Sequence, residues 1–130
     1  MMLYMDTSAL VKLVQAEDES PALRAYLGQG ETVATSALSD AELMRAAQRK
    51  GKDHVIQART VMDALPIISI TAPILRSAGS VLPGTHLRTL DAIHLATAMA
   101  LPDLTRICTY DARMIDSAQL LGLSCISPRR

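Results

Sequence analysis

Short apolar runs alternate along the chain with segments whose apolar residues recur every three or four positions. The runs Leu3 to Met5, Thr32 to Thr35, Ile67 to Ile70, Arg106 to Thr109 and Ser124 to Ile126 read as short strands of a buried sheet. Between them the spacing predicts helices over Ala9 to Ala16, Pro21 to Leu27, Ser39 to Lys50, Asp53 to Leu65, Pro73 to Val81, Thr89 to Leu101 and Ala112 to Leu121. Punctuation agrees: Pro21 suits a first helical turn, Pro66 and Pro102 follow helix ends, and Gly122 suits a C-cap before the last strand. Strands that alternate with helices imply βα units and an α/β fold with a parallel sheet of about five short strands. Pro83-Gly84-Thr85-His86-Leu87 reads as a loop that leads into the helix carrying Asp91.

The first run stops at an acid, in Leu3-Tyr4-Met5-Asp6. Right-handed crossovers bring the carboxyl ends of parallel strands, and the starts of the following helices, to one edge of the sheet, where ligands bind. Asp6, Glu42, Asp91 and Asp111 all occupy such places. Each also has a simpler reading. Asp6 and Asp111 are natural N-caps, Asp91 complements a helix dipole, and Ser39-Asp40-Ala41-Glu42 matches a capping box. The other acids look solvated: Glu17, Asp18 and Glu19 form a run after a helix, and Asp116 is turned away from the face of Asp111.

If the four acids converge, each ionised pair about 5 Å apart repels by roughly 3 kcal/mol at an effective dielectric of about 20. Such a cluster requires protons or a cation, and neutralising one member, as in Asp91→Asn, should stabilise the metal-free protein. Hard oxygen ligands favour Mg²⁺ or Mn²⁺ over Zn²⁺, and such ions commonly bridge to phosphate. Phosphoryl chemistry is the expectation, with the cation activating water and neutralising the leaving oxygen.

Composition narrows the field. The 130 residues suit one domain, residues 1–130, and the formal charge is zero, from 13 basic and 13 acidic residues. Any polyanion site is therefore local. With three Tyr, no Phe and no Trp, the core is aliphatic and no aromatic platform stacks a series of bases. No apolar run approaches a bilayer span, and the N-terminus lacks the basic start and cleavage site of a secretory signal, so the expected location is cytoplasmic. Cys108 and Cys125 each lie in an apolar run and are expected to be buried, reduced thiols.

The segments MDTSALVKL, SDAELMRA, LRTLDAIHLATAM and TYDARMIDSAQLLGLSCISP, in this order and spacing, resemble the PIN-domain ribonucleases, in particular the VapC-type toxins of bacterial toxin–antitoxin pairs. The resemblance spans nearly the whole chain. It implies a three-layer α/β/α fold and an acidic quartet of Asp6, Glu42, Asp91 and Asp111 that binds Mg²⁺ or Mn²⁺ for RNA phosphodiester hydrolysis, with Asp6 and Asp91 as the principal ligands. Ser8 and Thr109 match the family's supporting hydroxyl positions. A tRNA or rRNA substrate, a homodimer and a cognate VapB-type antitoxin are further implications.

Other residues add less. Arg45, Arg49, Lys50 and Lys52 form the densest basic stretch, read either as a solvated helix end or as a phosphate-binding line, and Arg88 is another phosphate candidate. His94 shares a helical face with Asp91, but no second D/E-x-x-H copy exists, so it is expected to be packed or hydrogen-bonded. Met5-Asp6-Thr7-Ser8 lacks the D-x-D of haloacid-dehalogenase-like phosphatases, and Cys125-Ile126-Ser127-Pro128 lacks the lysine of a receiver domain. The alternative to a nuclease is a non-catalytic PIN-like module for RNA or protein binding.

Overall fold

Leu3 and Met5 face one side of the first strand and Tyr4 the other, as the two-residue period of a strand requires, and the layers follow from that alternation. The computed structural model describes residues 1–130. In chain order the elements are β1 (Met2–Met5), α1 (Thr7–Val14), α2 (Ser20–Leu27), β2 (Thr32–Ser36), α3 (Ala37–Lys50), α4 (Lys52–Asp63), β3 (Ile67–Ile68), α5 (Ala72–Ala78), α6 (Thr89–Met99), β4 (Leu104–Cys108), α7 (Ala112–Leu120) and β5 (Cys125–Ile126). The strands form one parallel sheet in the order β3-β2-β1-β4-β5.

On one face Leu3 and Met5 pack with Leu10 of α1, Leu23 of α2, Leu43 of α3 and Met62 of α4. On the other, Tyr4 and Ile107 of β4 pack with Leu95 of α6 and with Met114 and Ala118 of α7. The expected α/β/α layering is thus present. Helix α6 is buried over eight consecutive residues, Asp91 to Ala98, and this is why its apolar residues are not confined to a stripe.

The chain runs outward from β1 to β2 and β3, then crosses back through α5 and α6 to β4 on the other flank of β1. The connections after β1 and β4 therefore diverge, which opens a crevice at their carboxyl ends. Both strands end there on polar residues, Asp6 and Thr109.

Several boundaries differ from the sequence expectation for local reasons. Helix α1 starts at Thr7 because Asp6 caps it, accepting from the Ala9 N–H. Helix α3 starts at Ala37 because β2 runs through Ser36, whose hydroxyl caps the helix. Only Ile67 and Ile68 of the predicted third strand pair, and Ile70 instead packs toward α5 and α6. Gly122 adopts φ +74°, and its neighbour Leu123 donates its N–H back to the Ala118 carbonyl, a left-handed close to α7 of the kind anticipated there. No helix is long and apolar enough to cross a membrane.

Cys108 is buried and Cys125 half-buried, and both are free. Burial pushes the Cys108 thiol up to about 12 and also raises that of Cys125. Because the thiolate is the nucleophile, a rise from 9.0 to about 12 lowers the reactive fraction of Cys108 about a thousandfold near neutral pH. Iodoacetamide should label Cys108 in the native protein at least about a hundredfold more slowly than in guanidinium, as read by mass spectrometry.

Candidate active site

The crevice between the ends of β1 and β4 is built around Asp6, which is 3% exposed. Its Oδ1 accepts from the Ser8 hydroxyl at 2.6 Å and from the Ala9 N–H at 3.1 Å, while its Oδ2 accepts from the Thr109 hydroxyl at 2.6 Å. Ser8 also accepts from the Tyr110 N–H at 2.9 Å, and its hydroxyl lies 3.2 Å from that of Thr109. The two supporting hydroxyls expected from sequence thus clamp the carboxylate and tie the end of β1 to that of β4. No cation pairs with Asp6. Burial raises its pKa despite the bonds from Ser8 and Thr109, which favour the ionised form.

Glu42 sits in the second turn of α3, too far from the Ser36 cap to close a capping box, so the Ser39-x-x-Glu42 reading fails. Its Oε1 accepts from the Thr7 hydroxyl at 2.6 Å and from His94 Nε2 at 2.7 Å. A carboxylate only accepts, so Nε2 carries a hydrogen. On the other side of the ring the Tyr4 hydroxyl lies 2.7 Å from Nδ1. Burial raises the Tyr4 pKa, and the phenol keeps its proton and donates it to Nδ1 when the ring is neutral. Burial also works to raise the Glu42 pKa, but the hydrogen bonds from His94 and Thr7 overcome it and hold the carboxyl below its ordinary value.

Asp91 lies in the first turn of α6 and is 8% exposed. Its Oδ2 accepts from Arg88 Nε at 2.9 Å, and the same guanidinium reaches Asp111 Oδ2 at 3.5 Å. Asp111 caps α7 through the Arg113 N–H, as its simpler reading expected, while its other oxygen turns toward Arg88. Arg88 is therefore engaged by two carboxylates rather than free for phosphate. The charge of Arg88 also acts on Glu42, so this one guanidinium electrically links three of the four acids, while His94 joins Glu42 to β1 through Tyr4.

The acids ring the crevice without closing into a ready cage, because no three His, Cys, Asp or Glu side chains are gathered as for an ion. The donor set nevertheless fits a hard cation. All four are carboxylates, Glu42 Oε2 and Asp91 Oδ1 carry no protein partner, and the Arg88 guanidinium stands where positive charge is held between Asp91 and Asp111. Arg45 and Arg49 are exposed and unpaired, three and seven residues beyond Glu42 on the same stripe of α3. Lys50 and Lys52 are exposed at the end of α3 and start of α4. Sequence reasoning missed Thr7 and Tyr4. The position of Thr7, directly after Asp6 at the edge of the sheet, was the one available signal.

The PIN domain model matches residues 3–120 of the chain. Ribonuclease VapC46 of Mycobacterium tuberculosis (strain ATCC 25618 / H37Rv) is 47% identical over 127 residues, which cover 97% of each protein. Among solved structures, Mycobacterium tuberculosis VapC20, described as a sarcin–ricin loop cleaving toxin, aligns with a TM-score of 0.79 at 15% identity, covering 97% of this chain and 99% of its own. A chain of a toxin–antitoxin complex from Klebsiella pneumoniae aligns with a TM-score of 0.75 at 23% identity over 98% of each.

The distribution of partners moves the expected effect of charge removal from Asp91 to Asp6. Asp91 already has a counter-ion, so Asp91→Asn should lower the metal-free Tm slightly, by at most about 1 kcal/mol of stability. Asp6→Asn should raise it. A raised folded-state pKa means that the folded protein keeps a proton which the unfolded chain releases, so wild type loses stability as pH rises from about 4 through the folded pKa. The advantage of Asp6→Asn in thermal melts should be absent near pH 4 and grow toward neutrality.

Proposed function

The chain belongs to the VapC-type ribonucleases of the PIN-domain family, and on that premise we propose that it hydrolyses RNA phosphodiester bonds at the crevice ringed by Asp6, Glu42, Asp91 and Asp111. It is an endoribonuclease that serves as the toxin of a toxin–antitoxin module. The observation that carries the assignment of the site is the position of four carboxylates around the carboxyl ends of β1 and β4, two of them already sharing a cation.

Asp6, Glu42, Asp91 and Asp111 would hold the divalent cation, Mg²⁺ or Mn²⁺. When bound, such an ion lowers the pKa of water and neutralises charge that builds on the phosphate. The protein's own contribution is positional. Ser8, Thr109 and the Ala9 N–H hold Asp6 in one orientation and leave acceptor capacity on its Oδ2. Thr7 and His94 hold Glu42 by one oxygen and leave the other open, and His94 is itself fixed by Tyr4. A low Glu42 pKa keeps this group ionised at neutral pH, as a ligand or an acceptor of a water proton must be.

Arg45 and Arg49 run away from Glu42 along α3 and would carry the RNA backbone by phosphate contacts, which suits a neutral chain without aromatic platforms. Substrates of the tRNA or rRNA class are in keeping with the family. Full-length structural likeness to a chain of a toxin–antitoxin complex supports a VapB-type antitoxin as partner, and the proposal extends to a homodimer working in the cytoplasm.

Asp6→Ala and Asp91→Ala should each reduce cleavage of a total tRNA and rRNA panel by more than about a hundredfold, beyond the cost of losing a supporting partner at a metal site. Equal cleavage by wild type and both variants would remove the catalytic assignment. Mn²⁺ at about a hundred times its Kd should stabilise the protein by ~3 kcal/mol in thermal melts, and a chelator should reverse both stability and activity.

A further inference from the structure

Arg88 is the residue immediately before α6 and takes extended backbone angles at the N-cap position without capping the helix with its side chain. The guanidinium instead spans the starts of two helices, bonding Asp91 in the first turn of α6 and Asp111 at the cap of α7. Helix N-termini carry partial positive charge and do not attract a cation. The two carboxylates therefore account for its presence there.

The two partners are held very differently. The Asp91 side chain is 11% exposed on a buried helix, whereas the Arg88 side chain is 56% exposed and its second contact is long, at 3.5 Å. The guanidinium is thus the loosely held partner, screened by solvent on its own side. If Arg88 swings out, Asp91 stays where it is and Asp111 remains the cap of α7 through the Arg113 N–H. Asp6 and Glu42 do not depend on it for hydrogen bonds. Removal of Arg88 thus frees two carboxylates and leaves the hydrogen bonds that position Asp6 and Glu42 in place.

We propose that Arg88 is a built-in counter-ion which occupies the cation position between Asp91 and Asp111 in the metal-free protein and is exchanged for the divalent ion on loading. This rests on the metal reading of the acids given above. The exchange explains how a crevice with four acids stays folded without metal, and it turns the guanidinium toward solvent beside the crevice, where an RNA phosphate is its next partner. Phosphate capture by Arg88 is then coupled to metal loading, since the same group cannot bind Asp91 and phosphate in full at once.

The test compares Mn²⁺ affinity, read from the free-ion EPR signal, for wild type, Arg88→Gln, Asp91→Asn and Arg113→Gln, together with Tm with and without Mn²⁺. Arg88→Gln should bind Mn²⁺ about fivefold to tenfold more tightly, lower the metal-free Tm and leave the Mn²⁺-saturated Tm unchanged. Arg113 lines the same depression but is bonded to Asp111 only through its backbone, so Arg113→Gln should change affinity less than about threefold. A 2′-O-methyl RNA that resists cleavage should bind Arg88→Gln more weakly than wild type in Mg²⁺ and equally well in its absence. Unchanged or weaker Mn²⁺ affinity in Arg88→Gln, an equal gain in Arg113→Gln, or an equal loss of Tm with and without Mn²⁺ overturns the exchange while leaving the metal site standing. Absence of Mn²⁺ binding in both wild type and Arg88→Gln overturns the metal reading and this inference with it, and full binding by Asp91→Asn removes Asp91 from the ligand set.

Discussion

A carboxylate buried without a cation is the constraint around which the site end of the molecule is arranged. Asp6 is met only by neutral donors, two hydroxyls and one N–H, and these come from both β1 and β4 sides of the crevice. Ser8 and Thr109 satisfy the carboxylate and also bond to each other and to the backbone of Tyr110 and Asp111. The bond network that fixes Asp6 is thus the same one that fixes the loop carrying Asp111. Loss of the Thr109 hydroxyl would leave the buried Asp6 Oδ2 without a partner, which costs more than an ordinary hydrogen bond contributes.

Around that centre the repulsion expected of four acids is divided rather than endured. Asp91 and Asp111 share Arg88, Glu42 takes His94 and Thr7, and Asp6 relies on hydroxyls and a raised pKa. The division is uneven, and the unevenness is informative. The cation on Asp91 and Asp111 is exposed, whereas the partner of Glu42 is a buried imidazole locked by Tyr4. One side of the crevice is therefore neutralised by an exposed, loosely held guanidinium, and the other holds its carboxylate by a buried imidazole.

Much of this was legible along the chain. A short apolar run that ends in an acid places Asp6 at the edge of a parallel sheet, because strand length, burial and crossover handedness leave few alternatives. Alternation within β1 was equally readable, since Tyr4 must face away from Leu3 and Met5. The capping box at Ser39 misled because two serines three residues apart compete for one role. The continuation of β2 through Ser36 settled it, and strand ends depend on pairing with β1 and β3, which no local pattern reveals. Ile70 fails to extend β3 for the same reason, since β2 has ended and offers no further partner. The bond from Arg88 to Asp91 was available from an i, i+3 spacing, but its reach to Asp111, and that of Tyr4 to His94 across ninety positions, arise only when α6 crosses to the far side of β1.

The buried helix α6 shows how core and chemistry are made from the same residues. Eight consecutive buried positions bring Leu95 and Ala98 into one core cluster and Ala92, Ile93 and Ala96 into another, while Asp91 and His94 emerge one turn apart toward the crevice. Small alanines let the helix sit deep between the sheet and α5, where a bulkier sequence would stand off. That depth gives His94 a Tyr4 hydroxyl beneath it and a carboxylate above it, so the imidazole is held at both nitrogens. A side chain bonded at both ends cannot adapt to a misplaced Glu42. The geometry of the Glu42 carboxylate on α3 is therefore set, through His94, by how tightly α6 packs on β1, and substitutions in that core should reach the site before they unfold the protein.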